Sequence, residues 1–348
     1  MNVFFRCDAG PGYGFGHLMR CIALAQAFDR LGLAEPVFVV RDLDGAALHE
    51  KLTAADGFEL IFLPQAARGL DFDLPAYSPF VPGDIVVFDN YDVLTAQMRT
   101  VREQGALLVA VDDLADRRFC ADMVINQNLG AKELVYDASP GTRFLLGPRY
   151  ALLRRGMQTP EKRRTSPHPK VFACFGGGYF FPRIRGVLEN LLALDASLGE
   201  PVGLDFALPD IPEQTEGVRS ALAGCRMFAP NYIVGELDLS RHMAGADLAV
   251  TAGGSMVFEL AHAGVPQLVL AIEANQEPTA RRVDAAGLGI CLGKAKELDS
   301  AFFTRTFMAL LGNPGKRREM SMAGKALVDG RGAERSAEAI AALPRPQA

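Results

Sequence analysis

The chain has 348 residues, of which 49% are hydrophobic, and a formal net charge of −5 at pH 7. This length exceeds what one hydrophobic core usually serves, so two domains are expected. The negative charge argues against a general nucleic-acid binder. The six cysteines form no Cys-x-x-Cys pair, which indicates free thiols in a reducing compartment.

The start of the chain and its hydropathy predict a cytoplasmic protein. Arg6 and Asp8 interrupt the first apolar run too early for a signal peptide. No stretch reaches the about 18 apolar residues that a membrane-spanning helix needs. We therefore expect neither nucleic acid nor membrane insertion.

Short apolar runs alternate with helical patterns in residues 1–157, which predicts an α/β domain with a parallel sheet covered on both faces. A helix is expected from about His17 to Leu31, because apolar residues recur on one face and Gly32 ends the pattern. The candidate strands are Val3–Arg6, Pro36–Val40, Leu60–Leu63, Asp84–Phe88, Leu107–Val111, Met123–Asn126 and Phe144–Leu146.

A linker is predicted over residues 158–169, which hold charges, three prolines and almost no apolar residue. A second Rossmann-like domain is expected over 170–348, with a last helix near Ala333–Leu343 that is able to pack on either domain. Two such domains facing each other form a cleft at the carboxyl ends of their strands, the default place for a site. The candidate strands are Lys170–Phe175, Gly203–Ala207, Arg226–Phe228, Leu248–Thr251 and Gln267–Leu270.

The stretch Gly10-Pro-Gly-Tyr-Gly-Phe-Gly-His-Leu-Met-Arg20 joins the first strand to the first helix. Its glycines let the backbone approach a ligand, and the helix start offers unpaired N–H groups to an anion. His17 lies in the first helical turn, where the helix dipole favours the neutral imidazole, which can act as a base. The spacing does not match the dinucleotide-binding fingerprint. From the residues alone, His17 is either structural or a base.

A second motif, Thr251-Ala-Gly-Gly-Ser-Met-Val-Phe-Glu-Leu260, lies between a predicted strand and a predicted helix. Gly253, Gly254 and Ser255 place N–H groups and a hydroxyl at the helix start, which suits phosphate. Glu259 lies on the same face, where it can accept hydrogen bonds from both hydroxyls of a ribose. The alternative is a capping serine followed by an acidic residue that complements the helix dipole.

A third motif, Asn275-Gln276, follows an apolar strand at the end where ligands bind in such sheets, although a simple Asx turn fits equally. Further polar residues at strand ends are Asp89-Asn90-Tyr91, Asp112-Asp113 and Asn126-Gln127-Asn128; some are expected to cap helices and others to face the cleft. The Asp-x-Asp pairs at 42–44 and 71–73 are common by chance, so no metal is assigned.

Several segments, spread over most of the chain, match one family in the expected order. They are Phe5–Asp8, Gly14–Cys21, Val111–Leu114, Val124–Asn128, Leu146–Arg154, Ala252–Ser255 with Glu259, and Asn275-Gln276. With these segments the chain resembles the UDP-sugar hydrolases of pseudaminic acid biosynthesis and the related spore-coat polysaccharide proteins. Its second half is also similar to the peptidoglycan N-acetylglucosaminyltransferases.

The resemblance implies a GT-B-like fold of two Rossmann-like domains with a nucleotide-sugar cleft. It implies release of UDP from UDP-2,4-diacetamido-2,4,6-trideoxy-β-L-altropyranose by water, with inversion and without a metal or cofactor. His17 is then the base or the water-positioning group. The residues implied to bind substrate or UDP are Asp8, Gly14, Gly16, Arg20, Tyr91, Gly177, Gly253, Gly254, Ser255, Glu259, Asn275 and Gln276.

Two positions depart from the family pattern. Gly176-Gly-Gly-Tyr179 stands where relatives carry Gly-Gly-Ser-Asp, and Asn90 stands where they carry a histidine. The departures leave the sugar open, so a related UDP- or CMP-linked sugar also fits. A GT-B glycosyltransferase and a non-catalytic nucleotide-sugar binder are the alternative functions.

Overall fold

A computed structural model describes residues 1–10, 14–41, 53, 55–64, 80–158 and 168–345. The chain divides into two compact units, one formed by Met1–Arg155 with Gly330–Ala348 and the other by Gly156–Asp329. The second unit therefore ends earlier than the predicted range 170–348. Most of the predicted linker and both Asp-x-Asp pairs lie outside the described residues.

The first unit is built on a parallel seven-stranded sheet in the order β3-β2-β1-β4-β5-β7-β9, beside a two-stranded pair, β6-β8. Its helices in the described residues before Arg155 are α1 (Gly16–Arg30) and α2 (Thr95–Glu103). The strands are β1 (Asn2–Cys7), β2 (Glu35–Arg41), β3 (Glu59–Leu63), β4 (Ile85–Asp89), β5 (Leu107–Val111), β6 (Arg118–Phe119), β7 (Met123–Asn126), β8 (Asp137–Ala138) and β9 (Arg143–Leu146).

The central strands β1, β4 and β5 are apolar along almost their whole length because helices or loops cover both faces of the sheet. Helix α1 lies on one face, where Phe28 packs edge-on against Phe5 with ring centroids 6.4 Å apart. The apolar face predicted for this helix is buried. This packing fixes the start of α1, and with it His17, beside the carboxyl end of β1.

The second unit repeats the design with a parallel six-stranded sheet in the order β12-β11-β10-β13-β14-β15. The strands are β10 (Lys170–Cys174), β11 (Val202–Leu208), β12 (Phe228–Val234), β13 (Leu248–Ala252), β14 (Gln267–Ala271) and β15 (Gly289–Lys294). The helices are α3 (Phe181–Asp195), α4 (Pro212–Leu222), α5 (Ser240–Ala244), α6 (Met256–Ala263), α7 (Glu277–Ala280), α8 (Ser300–Leu311) and α9 (Pro314–Leu327).

In both sheets the chain builds outward from its first strand and then returns to the other side of that strand. The strand order reverses between β1 and β4 in the first unit and between β10 and β13 in the second. At such a point the loops that follow neighbouring strands diverge and leave a crevice at the carboxyl ends. The first glycine-rich motif follows β1 and the second follows β13, so each lies at the switch point of its own sheet, while Asn275-Gln276 follows the neighbouring strand β14.

Two edge strands differ from the sequence prediction. The strand predicted at Arg226–Phe228 begins only at Phe228 and continues through Pro230 to Val234. Proline is tolerated there because β12 pairs only with β11 and needs no second set of hydrogen bonds. Strand β15 was not predicted, because it starts at a glycine, Gly289. Packing requires glycine there, since an added Cβ would lie 2.0 Å from the Gln267 carbonyl oxygen.

The last helix, α10 (Gly332–Ala341), belongs to the first unit. An added Cβ on Gly332 would lie 2.3 Å from the carbonyl oxygen of Ala151, so only glycine allows this approach. Glu334 pairs with Arg30 of α1 at 2.6 Å. Within the described residues, every helix is too short or too polar to cross a bilayer.

Candidate functional site

The first unit holds a histidine that a carboxylate orients. His17 Nδ1 lies 2.5 Å from Asp89 Oδ1, and the histidine side chain is 12% exposed. Nδ1 also lies 3.1 Å from Arg20 Nη2, but the Asp89 contact is the shorter one, so we assign the proton to Nδ1, which donates it to Asp89. The other ring nitrogen, Nε2, has no hydrogen-bond partner among the described residues. Such a histidine has a free lone pair on a fixed ring, which is the arrangement of a general base.

Arg20 joins two carboxylates next to this histidine. Its Nε and Nη2 donate to the two oxygens of Asp89 at 2.9 and 2.7 Å, in a bidentate pair. Its Nη1 donates to both oxygens of Asp113 at 2.9 and 3.1 Å. Arg20 is buried and its donors are engaged by protein, so in this geometry it holds the strand ends together.

The ion pairs in this cluster shift the pKa values strongly. Burial alone would lower the pKa of Arg20, but Asp113 and Asp89 raise it well above its ordinary value. Burial alone would raise the pKa of Asp113, but Arg20 and, to a lesser degree, His17 and Tyr91 hold it below its ordinary value. Arg20 and Asp113 therefore stay ionised at neutral pH.

Asp113 also organises two neutral side chains. The Tyr91 hydroxyl donates to Oδ2 at 2.8 Å, and the Asn128 amide nitrogen donates to Oδ1 at 2.9 Å. The Tyr91 ring meets the His17 ring edge-on with centroids 4.7 Å apart. Tyr91 is therefore in contact with the candidate base.

Asp8, another predicted site residue, is enclosed by protein donors. It is 2% exposed and accepts hydrogen bonds from Arg6 and from the Arg41 backbone and side chain. Asn90, which replaces the family's histidine, donates to Asp8 at 2.8 Å. Burial would raise the pKa of Asp8, but Arg6 and Arg41 lower it. In this structure Asp8 ties β1, β2 and β4 together.

Gly14 and Gly16, the two predicted site glycines of the first loop, lie in different structural environments. Gly14 has φ = +71°, a conformation that other residues rarely adopt, and it pairs with Gly10 through two backbone hydrogen bonds. Gly16 begins α1 with no described protein atom within 4 Å of where a Cβ would lie. Packing thus leaves room beside Gly16, next to His17.

In the second unit, Gly253 and Gly254 follow β13 and differ in the same way. A Cβ on Gly253 would lie 2.7 Å from the Gln276 carbonyl oxygen, so packing requires a glycine. A Cβ on Gly254 would lie 3.9 Å from Gln276 Nε2 with no closer described atom. Ser255 is the N-cap of α6, and its side chain makes no capping hydrogen bond. The N–H groups there suit an anion.

Gln276 contributes a donor with a fixed direction. Its Oε1 accepts a hydrogen bond from the backbone N–H of Ile272 at 3.0 Å. The amide nitrogen therefore points the other way, toward the Gly253–Gly254 turn. Strands β13 and β14 are neighbours in the sheet, which is why the second and third motifs meet.

The remaining predicted residues of the second unit lie at the same edge of its sheet. Glu259 is in the first turn of α6, and Asn275 is in a short 3₁₀ turn, Ala274–Gln276. Burial, with a smaller contribution from Glu259, raises the pKa of the Cys174 thiol to about 12, so this carboxylate lies near the end of β10. Gly177 lies in the loop after β10.

Helix α3 differs from α6 at its start. The N–H groups of Phe180 and Phe181 both donate to the buried side chain of Gln214, at 2.6 and 3.0 Å. This side chain already satisfies the donors that would otherwise be offered to a ligand. The glycine turn at 176–178 therefore provides fewer free donors than the turn before α6.

Asp89, Asp113 and Asn128 were predicted as strand-end polar residues, the last two within segments that carry the family resemblance, but not as site residues. The structure joins them to His17 and Arg20, because β4, β5 and β7 bring their carboxyl ends to one edge. The signal was their position directly after neighbouring apolar strands. Among the described residues, no group of three His, Cys, Asp or Glu side chains is arranged to hold a metal ion.

Asp112 and Asp113 are adjacent, but ionisation of Asp113 stabilises the fold and ionisation of Asp112 destabilises it. The pKa of Asp113 lies below its ordinary 3.8, so its ionised form stabilises the fold above about pH 4 and that contribution disappears as pH falls through the folded pKa. Burial, with a smaller contribution from Asp113, raises the pKa of Asp112. Ionisation of Asp112 therefore costs folding free energy at neutral pH.

We expect Asp113→Asn to lower the free energy of unfolding at pH 7 by about 3 kcal/mol, because it leaves Arg20 partly unpaired. Asp112→Asn is expected to cost about 1 kcal/mol or less, since an amide oxygen can still accept from the loop. Urea unfolding followed by circular dichroism from pH 7 down to about pH 3.5 measures both. The account is contradicted if both substitutions lower the free energy of unfolding equally at pH 7. It is also contradicted if the loss in Asp113→Asn is as large at about pH 3.5 as at pH 7.

Comparison with known proteins finds relatives at low identity, and no protein-family model matches the chain. The chain is 24% identical over 339 residues to the spore coat polysaccharide biosynthesis protein SpsG of Bacillus subtilis (strain 168), covering 95% of each. It is 25% identical over 186 residues to the UDP-2,4-diacetamido-2,4,6-trideoxy-beta-L-altropyranose hydrolase of Campylobacter jejuni, covering 51% of this chain and 61% of that protein.

Solved structures share the fold over nearly the whole chain. A putative UDP-N-acetylglucosamine 2-epimerase from Listeria monocytogenes has a TM-score of 0.68 at 16% identity, covering 100% of this chain and 98% of that one. The spinosyn rhamnosyltransferase SpnG, complexed with thymidine diphosphate, has a TM-score of 0.64 at 17% identity, covering 95% and 96%. The predicted α/β class with two Rossmann-like, GT-B-like domains is confirmed, and so is the resemblance to SpsG and the altropyranose hydrolase, at low identity.

Proposed function

We propose that this protein processes a UDP-sugar and, more narrowly, that it hydrolyses one by attack of water at the anomeric carbon with inversion. The observation that carries the proposal is the His17–Asp89 pair, in which Nδ1 donates to the carboxylate. Water is a poor nucleophile at neutral pH, and a base within reach removes its proton as the new bond forms. His17 supplies that base through Nε2.

The proposed reaction needs no protonating acid. The water oxygen bonds to the anomeric carbon, its proton passes to His17 Nε2, and the carbon–oxygen bond to the diphosphate breaks with its electron pair on UDP. The leaving diphosphate needs hydrogen-bond donors to disperse its charge. In our proposal the second unit provides them at the start of α6 and through Gln276 Nε2, which faces Gly254.

The two units thus have different proposed roles. The first unit holds the sugar and the attacking water, and the second holds UDP, with Glu259 at the ribose. The similarity to the altropyranose hydrolase and to SpsG supports a diacetamido-trideoxy sugar or a close relative, used for surface glycans. Asn90, in place of the family's histidine, donates to Asp8 and is the reason to test several sugars.

A glycosyltransferase is the second candidate, and the fold shared with a rhamnosyltransferase supports it. In that case the same base would deprotonate an acceptor hydroxyl in place of water. The two candidates differ in one observable. UDP release from a donor sugar in plain buffer favours the hydrolase, and release only after an acceptor is added favours the transferase.

We expect His17→Ala to reduce kcat for UDP release by about 10²- to 10⁴-fold, the usual contribution of a general base. Its affinity for UDP should stay at the wild-type value, because the base does not contact the nucleotide. The rate is measured over a panel of UDP-sugars with a coupled assay for UDP. His168→Ala, a half-exposed histidine in the second unit, is the matched control and should keep the wild-type rate. A wild-type rate for His17→Ala would refute the assignment.

The glycine pair separates a packing role from a nucleotide-binding role. Gly253→Ala should lower stability by about 1–3 kcal/mol, since its Cβ would meet the Gln276 backbone. Gly254→Ala should leave the thermal midpoint unchanged and weaken UDP binding about tenfold, or 1.4 kcal/mol, because its Cβ would project toward the diphosphate. Calorimetric titration with UDP and thermal unfolding measure the two effects. Wild-type UDP affinity in Gly254→Ala would remove the proposed diphosphate site.

A further inference from the structure

We infer that Asn128 is a sugar-recognition residue whose amide oxygen accepts a hydrogen bond from an N–H or O–H donor on the sugar. The inference rests on the proposed function, because it assumes that the group attacked beside His17 is a sugar. Asn128 was not among the predicted site residues, so the inference adds a residue that contributes to the choice of sugar. Asn128 is half-buried, at the loop that follows β7.

The chemistry of Asp113 settles the direction of the Asn128 amide. Oxygen and nitrogen ends of an amide look alike, so their assignment must come from the hydrogen-bond network. Asp113 is ionised and only accepts hydrogen bonds, so the group 2.9 Å from its Oδ1 must be the Asn128 nitrogen. The amide oxygen then faces away from Asp113. It has no protein donor among the described residues.

A second set of contacts fixes the backbone of Asn128. Its N–H donates to Asn126 Oδ1 at 2.9 Å, and Asn126 Nδ2 donates to the Tyr136 hydroxyl at 2.9 Å. Tyr136 in turn donates to Asp112 at 3.1 Å. Every donor and acceptor in this series has one permitted direction. The unpartnered oxygen of Asn128 is therefore held in place before any ligand binds, which reduces the entropy cost of recognition.

The neighbourhood of this oxygen points to a ligand that donates hydrogen bonds. The Tyr91 hydroxyl donates to the same Asp113 carboxylate that orients the Asn128 amide. Tyr91 touches His17 through its ring. The oriented Asn128 oxygen, linked to the candidate base through Asp113 and Tyr91, matches a sugar with hydroxyl or acetamido N–H donors. A phosphate, which carries acceptors only, would be repelled here.

The test uses Asn128→Ala in the full-length protein. We expect KM for the hydrolysed UDP-sugar to rise about five- to tenfold, the cost of one neutral hydrogen bond, with kcat changed less than about threefold. The Kd of UDP alone, measured by calorimetry, should not change. Asn128→Asp should raise KM further, because a second carboxylate beside Asp113 loses the donor and adds repulsion.

Asn231→Ala is the matched control, because Asn231 donates to Asp205 at the same 2.9 Å in the second unit. It should leave KM unchanged. If the wild type hydrolyses no sugar, the proposed function fails, and calorimetry with UDP-N-acetylglucosamine against UDP still tests the contact. The inference is overturned if both Asn128 variants bind the sugar nucleotide as the wild type does, or if the affinity for UDP alone falls in parallel.

Discussion

The shared guanidinium of Arg20 is the interaction on which the first-unit site depends. It holds Asp89 through one bidentate pair and Asp113 through another, and so fixes the carboxyl ends of β4 and β5 against α1. Asp89 orients His17, and Asp113 orients Tyr91 and Asn128. With a neutral imidazole the cluster holds one more carboxylate than cations. A proton removed from water would therefore arrive at a site with one excess negative charge. Because the site is buried, the electrostatic attraction between that charge and the proton is stronger than it would be in water.

The two units offer opposite hydrogen-bonding surfaces. The second unit presents donors at the start of α6, which the Ser255 side chain does not cap, and from Gln276, whose amide direction is set by the Ile272 N–H. The first unit presents an acceptor, the amide oxygen of Asn128, whose direction is set by Asp113. In the proposed function, the diphosphate of a nucleotide sugar supplies acceptor oxygens for the second unit, and the sugar supplies donor groups for the first. In each unit, a group that can only accept or only donate hydrogen bonds fixes the direction of a neutral amide. Asp113 does this for Asn128, and the Ile272 N–H does it for Gln276.

Much of the fold follows from the sequence, because buried parallel strands are continuous apolar runs and glycine turns mark their ends. Leu107–Val111 and Met123–Asn126 were predicted with their observed bounds. The edge strands β12 and β15 were not, since their proline and glycines are tolerated only where one side of a strand is unpaired. The sequence pointed to His17, Arg20 and Tyr91, but not to Asp89 as the residue that orients the imidazole. Asp89 lies 72 residues further along the chain, and which strand-end residues meet depends on strand order, which periodicity does not reveal.

The central claim is that water, activated by His17, attacks the anomeric carbon of a UDP-sugar. It is tested most directly by turnover of the diacetamido-trideoxy UDP-sugar in ¹⁸O-labelled water without an acceptor. Mass spectrometry of the UDP and proton NMR of the first-formed sugar are the two readouts. The account predicts unlabelled UDP and a free sugar of inverted anomeric configuration. Label in the β-phosphate of UDP, retention of configuration, or UDP formed only when an acceptor is added would contradict it.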